Sequence, residues 1–190
     1  MRQAIFYEFH DGDSSIEPIM HQTSTNQVTI LPVEDQAMIP LMAAQFSDAG
    51  IDLIELCGGV SLAIRARVKE VTSKRTRIAS VTFGIESIVK AAEFNHAFVA
   101  GKPPAEACII RMPGADPATD QYVRTSGPQN TAFVMSDDSA AANVAHTLVE
   151  QGVGLIELYG SFPDKIAAEI IEIIAGRAAV GISGFGCDIV

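Results

Sequence analysis

Two glutamates stand inside short apolar runs, Glu55 in Leu53-Ile54-Glu55-Leu56-Cys57 and Glu157 in Leu155-Ile156-Glu157-Leu158-Tyr159. A carboxylate in a buried strand costs free energy unless it is paired or hydrogen-bonded, and partial desolvation raises its pKa toward the range of a general acid or base. Glu55 and Glu157 are therefore candidate catalytic residues. In the alternative reading, each anchors a neighbouring loop by accepting backbone hydrogen bonds. Strand alternation puts Leu53, Glu55 and Cys57 on one face. Cys57, at a strand end facing a helix amino terminus, is a candidate nucleophile or proton carrier, or else a small buried thiol.

Glycines follow both glutamate strands, as Gly58-Gly59 and Gly160-Ser161, just ahead of expected helices. Free backbone N–H groups and a helix dipole at such turns can hold a phosphate or carboxylate, although a tight strand-to-helix turn needs glycine in any case. The same two readings apply to the Phe83-Gly84 and Phe185-Gly186 pairs. Arg111 is a candidate counter-ion for an anionic ligand or for one of the glutamates. His10, Asp11 and Asp13 crowd the end of the first expected strand, as a ligand-binding group or an acidic solvated loop; their spacing fits no metal-ligand motif. No dinucleotide fingerprint or phosphate-binding loop of the Walker type is present, so no cofactor is expected.

These residues fall into place once the chain is laid on itself. At an offset of 102, residues 1–88 align with residues 103–190 without a gap and 19 pairs are identical, roughly three times what composition gives by chance. Gly50 to Gly58 matches Gly152 to Gly160 most densely. The reading is a tandem duplication, with repeats at 1–88 and 103–190 and a helical linker at 89–102.

Each repeat reads as strand, helix, strand, helix, strand, helix, strand. Strands are expected at 4–9, 28–33, 51–57 and 77–83, and again at 106–112, 130–135, 155–159 and 178–183. Asp137 is placed to cap a helix that Gly152 ends, and Asp116-Pro117 reads as the start of another helix. Ile166, Ile170, Ile173 and Ile174 form one stripe of a third. Strands alternating with helices imply parallel pairing, so the fold class is α/β. The expected architecture is a pair of parallel four-stranded sheets related by a pseudo-twofold axis, the alternative a small (βα)8 barrel made of two half-barrels. In either, ligands belong at the carboxyl ends of the strands.

With 48% apolar residues over 190 positions the chain can bury a sizeable core. A net charge of −10 opposes nucleic acid and anionic lipid. No apolar run reaches bilayer-spanning length and no signal-peptide core is present, so a cytoplasmic location and no membrane partner are expected. Cys57, Cys108 and Cys187 are read as reduced thiols, having neither disulfide nor zinc spacing. A homo-oligomer is expected, with helix stripes as interfaces.

The segments Pro113-Gly114-Ala115-Asp116-Pro117 and Leu155 to Gly160 resemble a family of short bacterial proteins classed as a domain of unknown function. The resemblance covers most of each repeat and implies a unit able to exist singly. A looser likeness is to phosphate-binding barrels of the tryptophan synthase α-subunit type, which implies a catalytic glutamate at Glu55 or Glu157 and a phosphate loop at Phe185-Gly186 or Phe83-Gly84. The acidic loop residue of that family has no counterpart here. A third is to the aspartate/glutamate racemase superfamily, which implies a cysteine from each repeat; Tyr159 stands where the second would be. The expected function is a lyase or isomerase acting on a small anionic metabolite, with Glu55 and Glu157 as acid and base. The alternative is a non-catalytic small-ligand-binding or assembly protein. A single working site is expected where the divergent segment His10 to Asp13, against Met112 to Ala115, meets Glu55.

Overall fold

Strands form where aliphatic and β-branched residues concentrate between turn formers, and helices where the apolar period lengthens to one helical face. The computed structural model describes residues 1–9 and 17–185, so His10, Asp13 and Gly186 lie outside the described residues. Two units are present: Met1–Val81, completed by the chain from Ser183 onward, and Thr82–Ile182.

In the first unit the strands are β1 (Arg2–Glu8), β2 (Ile19–Gln22), β3 (Gln27–Val33), β4 (Leu53–Leu56) and β5 (Arg77–Phe83), in the order β2-β3-β1-β4-β5. β1 is parallel to β3 and β4, and β4 to β5, whereas β2 runs antiparallel to β3. Helix α1 (Ile39–Asp48) connects β3 to β4, and α2 (Leu62–Val71) connects β4 to β5. Pro40 sits in the first turn of α1, where a missing N–H costs nothing. Ser61 caps α2 by accepting from Ile64 N at 3.3 Å. Phe6 packs edge-on against Phe46 of α1, so Ala4, Phe6, Glu8, Ile54 and Leu56 face the helices.

The second unit holds α3 (Ile88–Val99), β6 (Ala105–Arg111), β7 (Gln121–Ser126), β8 (Gln129–Ser136), α4 (Ala141–Glu150), β9 (Val153–Tyr159), α5 (Asp164–Ile174) and β10 (Ala179–Gly184). Its strand order is β10-β9-β6-β8-β7, parallel throughout except for β7 against β8. One face, with Ala107, Ile109, Val134, Ile156 and Leu158, packs on α4 and α5. On the other, Phe94 of α3 packs on Leu155 and Ala179, and Ser87 Oγ accepts from Val180 N at 3.0 Å. Among the described residues, no helix is long and apolar enough to cross a membrane.

The α/β class stands, but the sheets are mixed rather than parallel and four-stranded. The first helix expected in each repeat is instead the antiparallel strand β2 or β7. Asp116 does open a helical turn, accepting from Ala118 N at 3.0 Å through its side chain and from Asp120 N at 2.8 Å through its carbonyl. The turn stops there. Gln121-Tyr122-Val123-Arg124-Thr125 is rich in β-branched and aromatic residues, and the run closes a hairpin with β8 across Gly127-Pro128, Ser126 facing Gln129. An antiparallel return strand lets β6 and β8 pair in parallel with no helical crossover between them.

Candidate functional site

Glu55 lies at the centre of β4 with no solvent exposure, facing Ile5 across the ladder to β1. Gln3, buried on the same face, donates from Nε2 to Glu55 Oε2. Glu157 occupies the corresponding place in β9, facing Cys108 of β6, and accepts a hydrogen bond from the buried Tyr159 hydroxyl two residues along the strand. Each carboxylate is thus held by a neutral donor on its own sheet face. Cys57, just beyond β4, is a buried cysteine outside any disulfide, as is Cys108.

The two faces draw on the same three residue types by different routes. Glu55 on β4 is followed two residues on by Cys57, just past the strand, with Tyr7 on β1; Glu157 is followed two residues on by Tyr159 within β9, with Cys108 on β6. The second face carries a further, half-buried polar contact, from Thr131 Oγ1 to Glu106 Oε1 at 2.7 Å.

At the carboxyl ends of the strands, the helix-facing side chains close the glycine turns. In the first unit Gln36 donates to Glu8 Oε1 and to the Gly59 carbonyl at 3.0 Å, and its own Oε1 accepts from Ser61 N at 3.1 Å. In the second, Arg111 grips Asp138 through Nε and Nη2, at 2.5 and 2.7 Å, and donates from Nη1 to the Ser161 carbonyl at 3.3 Å. That fork raises the Arg111 pKa, the Asp138 hydrogen bond outweighing desolvation. Glu8-Gln36-Gly59 and Arg111-Asp138-Ser161 are two versions of one clasp, with a carboxylate at the end of one leading strand and a guanidinium at the end of the other.

This clasp corrects the pairing of Arg111 with Phe9 expected from the sequence. The glutamate strands and β5 and β10 keep the offset of 102, Glu55 facing Ala79 as Glu157 faces Gly181. On the leading strands the offset is 103, because Ile5 faces Glu55 while Cys108 faces Glu157. A register shift between Ala105 and Glu106 accompanies it. Phe9 N bonding Val33 O therefore corresponds to Met112 N bonding Ser136 O, and Glu8 corresponds to Arg111.

Two of the candidate anion loops, those at Gly59 and Gly84, have their own carboxylates beside them. A Cβ on Gly59 would sit 1.8 Å from Glu8 Oε2, and one on Gly84 would sit 2.1 Å from Glu86 Oε1. Negative charge at both places opposes a bound anion. Gly160 and Ser161 both take left-handed backbone, φ +85 and +60. Gly160 also passes so close to β6 that a Cβ would lie 2.8 Å from the Arg111 carbonyl. Phe185 lies under the Arg77 guanidinium, 5.3 Å from its ring centre. Among the described residues, no three His, Cys, Asp or Glu side chains converge as a metal site.

Gln3, Gln36, Tyr159 and Asp138 complete these arrangements, and none was singled out as a partner from the sequence. A signal did exist for two of them: Tyr159 is two residues from Glu157, the strand period, and Asp138 aligns with Gln36 at the offset of 102. Gln3 carries no such mark.

A cleft of about 520 Å³ opens on the helix side of the first sheet, at the amino ends of its strands. Phe46 and Ile51 line its apolar part, Pro18 and Met20 border it along β2, and Arg2 and Gln27 provide polar edges. None of these lining residues was proposed from the sequence.

Fold and site together describe an α/β protein whose strand ends are closed by its own side chains. The chain belongs to a family of unknown function (DUF6506), whose model matches residues 1–96 and again residues 104–188. No curated protein matches the chain. Among solved structures, similarity is found to a solute-binding protein of an ABC transporter system from Aeropyrum pernix K1, at 13% identity over 93% of this chain and 60% of that one, TM-score 0.29. A periplasmic solute-binding protein of an ABC transporter from Actinobacillus succinogenes 130z, with bound D-allose, is 11% identical over 94% of this chain and 76% of that one, TM-score 0.29. An NtrC family transcriptional regulator from Clostridium acetobutylicum is 10% identical over 93% of this chain and 96% of that one, TM-score 0.27. The chain spans 60% of the length of the first of these.

Proposed function

We propose that this protein binds a small molecule without transforming it, and that Glu55 and Glu157 serve the scaffold. The observation behind this reading is that both carboxylates are buried and hydrogen-bonded by side chains of their own sheet faces, Gln3 and Tyr159. A general acid or base must reach the proton it transfers. The ligand is assigned to the cleft at Phe46 and Ile51, whose volume of about 520 Å³ falls in the range of small-molecule sites.

Incubation with a metabolite extract, followed by mass spectrometry of bound and free fractions, tests the reading. A metabolite retained on the protein and recovered unchanged supports it. Conversion of a metabolite that is lost in both Glu55→Gln and Glu157→Gln overturns it in favour of the lyase or isomerase.

The same proposal includes a duplicated origin for residues 1–88 and 103–190, with residues 89–102 between them. Two supports are the double match to one family and the shared order of pairing, in which a leading strand lies between the glutamate strand and a strand edged by an antiparallel partner.

A further inference from the structure

The geometry points to the class of molecule that the cleft takes: an apolar carboxylate, its hydrocarbon or ring against Phe46, Ile51 and Met20 and its carboxylate on Arg2. This inference rests on the reading of the cleft as a ligand site. The open space has a structural cause. α1 packs on β1 through Phe46 and Phe6, and Met20, Thr29 and Gln27 of the outer strands β2 and β3 border the space at its side. Met20 is 69% exposed, an unbranched apolar side chain that adapts to ligands of varied shape.

Arg2 supplies the polar end. Its Nη1 donates to the Ala49 carbonyl at 2.9 Å and the Gly50 carbonyl at 3.3 Å, at the carboxyl end of α1, and its backbone N–H donates to Asp52 Oδ2 at 2.6 Å. The guanidinium is therefore held by one nitrogen. Nε and Nη2, the fork by which Arg111 grips Asp138, have no hydrogen-bond partner among the described residues. A planar fork fixed in advance matches a carboxylate in two parallel hydrogen bonds, with little ordering left to do on binding. Glu17 also borders the cleft, so the carboxylate is placed on its Arg2 side.

The test measures binding of octanoate and 3-phenylpropionate by calorimetry, beside their uncharged counterparts 1-octanol and 3-phenyl-1-propanol. At least one acid is expected to bind about tenfold or more tightly than its alcohol, the worth of one charge-assisted contact. Arg2→Gln removes that preference, Arg2→Lys restores part of it, and Met20→Trp, at an exposed position, blocks acid and alcohol alike. Equal binding of acid and alcohol to the parent protein, lost in Met20→Trp, overturns the carboxylate class and leaves the cleft as a ligand site. Binding unaffected by Met20→Trp, or no binding of any of the four, overturns the assignment of the cleft as well.

Discussion

Replacing Tyr159 by Phe removes a single oxygen from the second unit, and the consequence can be worked out from what that oxygen does. The ring is fully buried and keeps its volume in the variant, so packing is preserved. What disappears is the hydrogen bond from the hydroxyl to Glu157 Oε2, a carboxylate only 7% exposed. A buried acceptor left short of a donor costs about 1–3 kcal/mol. We expect a loss of about 2 kcal/mol, which in a chain of this size lowers Tm by about 4–8 °C. Glu157→Gln, which puts an amide nitrogen or a weaker acceptor opposite the hydroxyl, should destabilise by a similar amount. In the double variant the losses should fall short of their sum by at least about 1 kcal/mol, because both act through one contact. Urea and thermal unfolding of the four proteins in the cycle measure this. If Tyr159→Phe stays within about 0.5 kcal/mol of the parent, the hydroxyl is not what holds Glu157, and the scaffold role assigned to that glutamate fails with it.

Two other perturbations separate geometry from charge. Gly160→Ala meets both a left-handed φ of +85 and the Arg111 carbonyl at 2.8 Å, so it should cost about 2–3 kcal/mol. Gly59→Ala meets only the movable end of Glu8, which can swing away from Gln36, and should cost about 1 kcal/mol; chemical denaturation of the pair reads the order, and a costlier Gly59→Ala would contradict the clasp. Asp137 has its pKa held below 3.8, first by the Ser139 hydroxyl and then by the Ala140 amide ahead of α4. A carboxyl group lowered in the folded state contributes stability that is fully present above pH 3.8 and lost as pH falls through the folded value. Asp137→Asn, which keeps an acceptor but does not titrate, should therefore be slightly less stable than the parent at neutral pH, with the gap closing under acid. A gap that widens below pH 4 would show that the sign is wrong.

Much of the strand pattern was legible because burial on both faces writes apolar runs that are hard to mistake, as at Ile5 and Phe6 or Leu155 to Tyr159. β2 and β7 were read as helices for a definite reason. Their lead-in is acidic and, at Asp116-Pro117, carries a helix-start signature that the structure uses for one turn only. At a sheet edge, only one neighbour and one half-buried face enforce the strand period, so local signals mislead most there. The glutamates were legible as anomalies, since a charge among aliphatics stands out in a linear text. Their partners were not, because Gln3 lies 52 positions from Glu55 and reaches it only through the β1 to β4 ladder.

The sequence by itself determined the α/β class, the two glutamate strands and the glycines that end the helices, because each follows from local periodicity or from the conformations one residue can adopt. Only the tertiary structure decided the offset of 103 on the leading strands, which places Glu8 rather than Phe9 opposite Arg111 in the comparison of the two units. Register is set by how neighbouring strands meet, and a one-residue slip turns every side chain to the other face. The same holds for Gln36 over the Gly59 turn and Arg111 over the Ser161 turn, contacts between residues 23 and 50 positions apart that exist only after the sheet has brought the strand ends together.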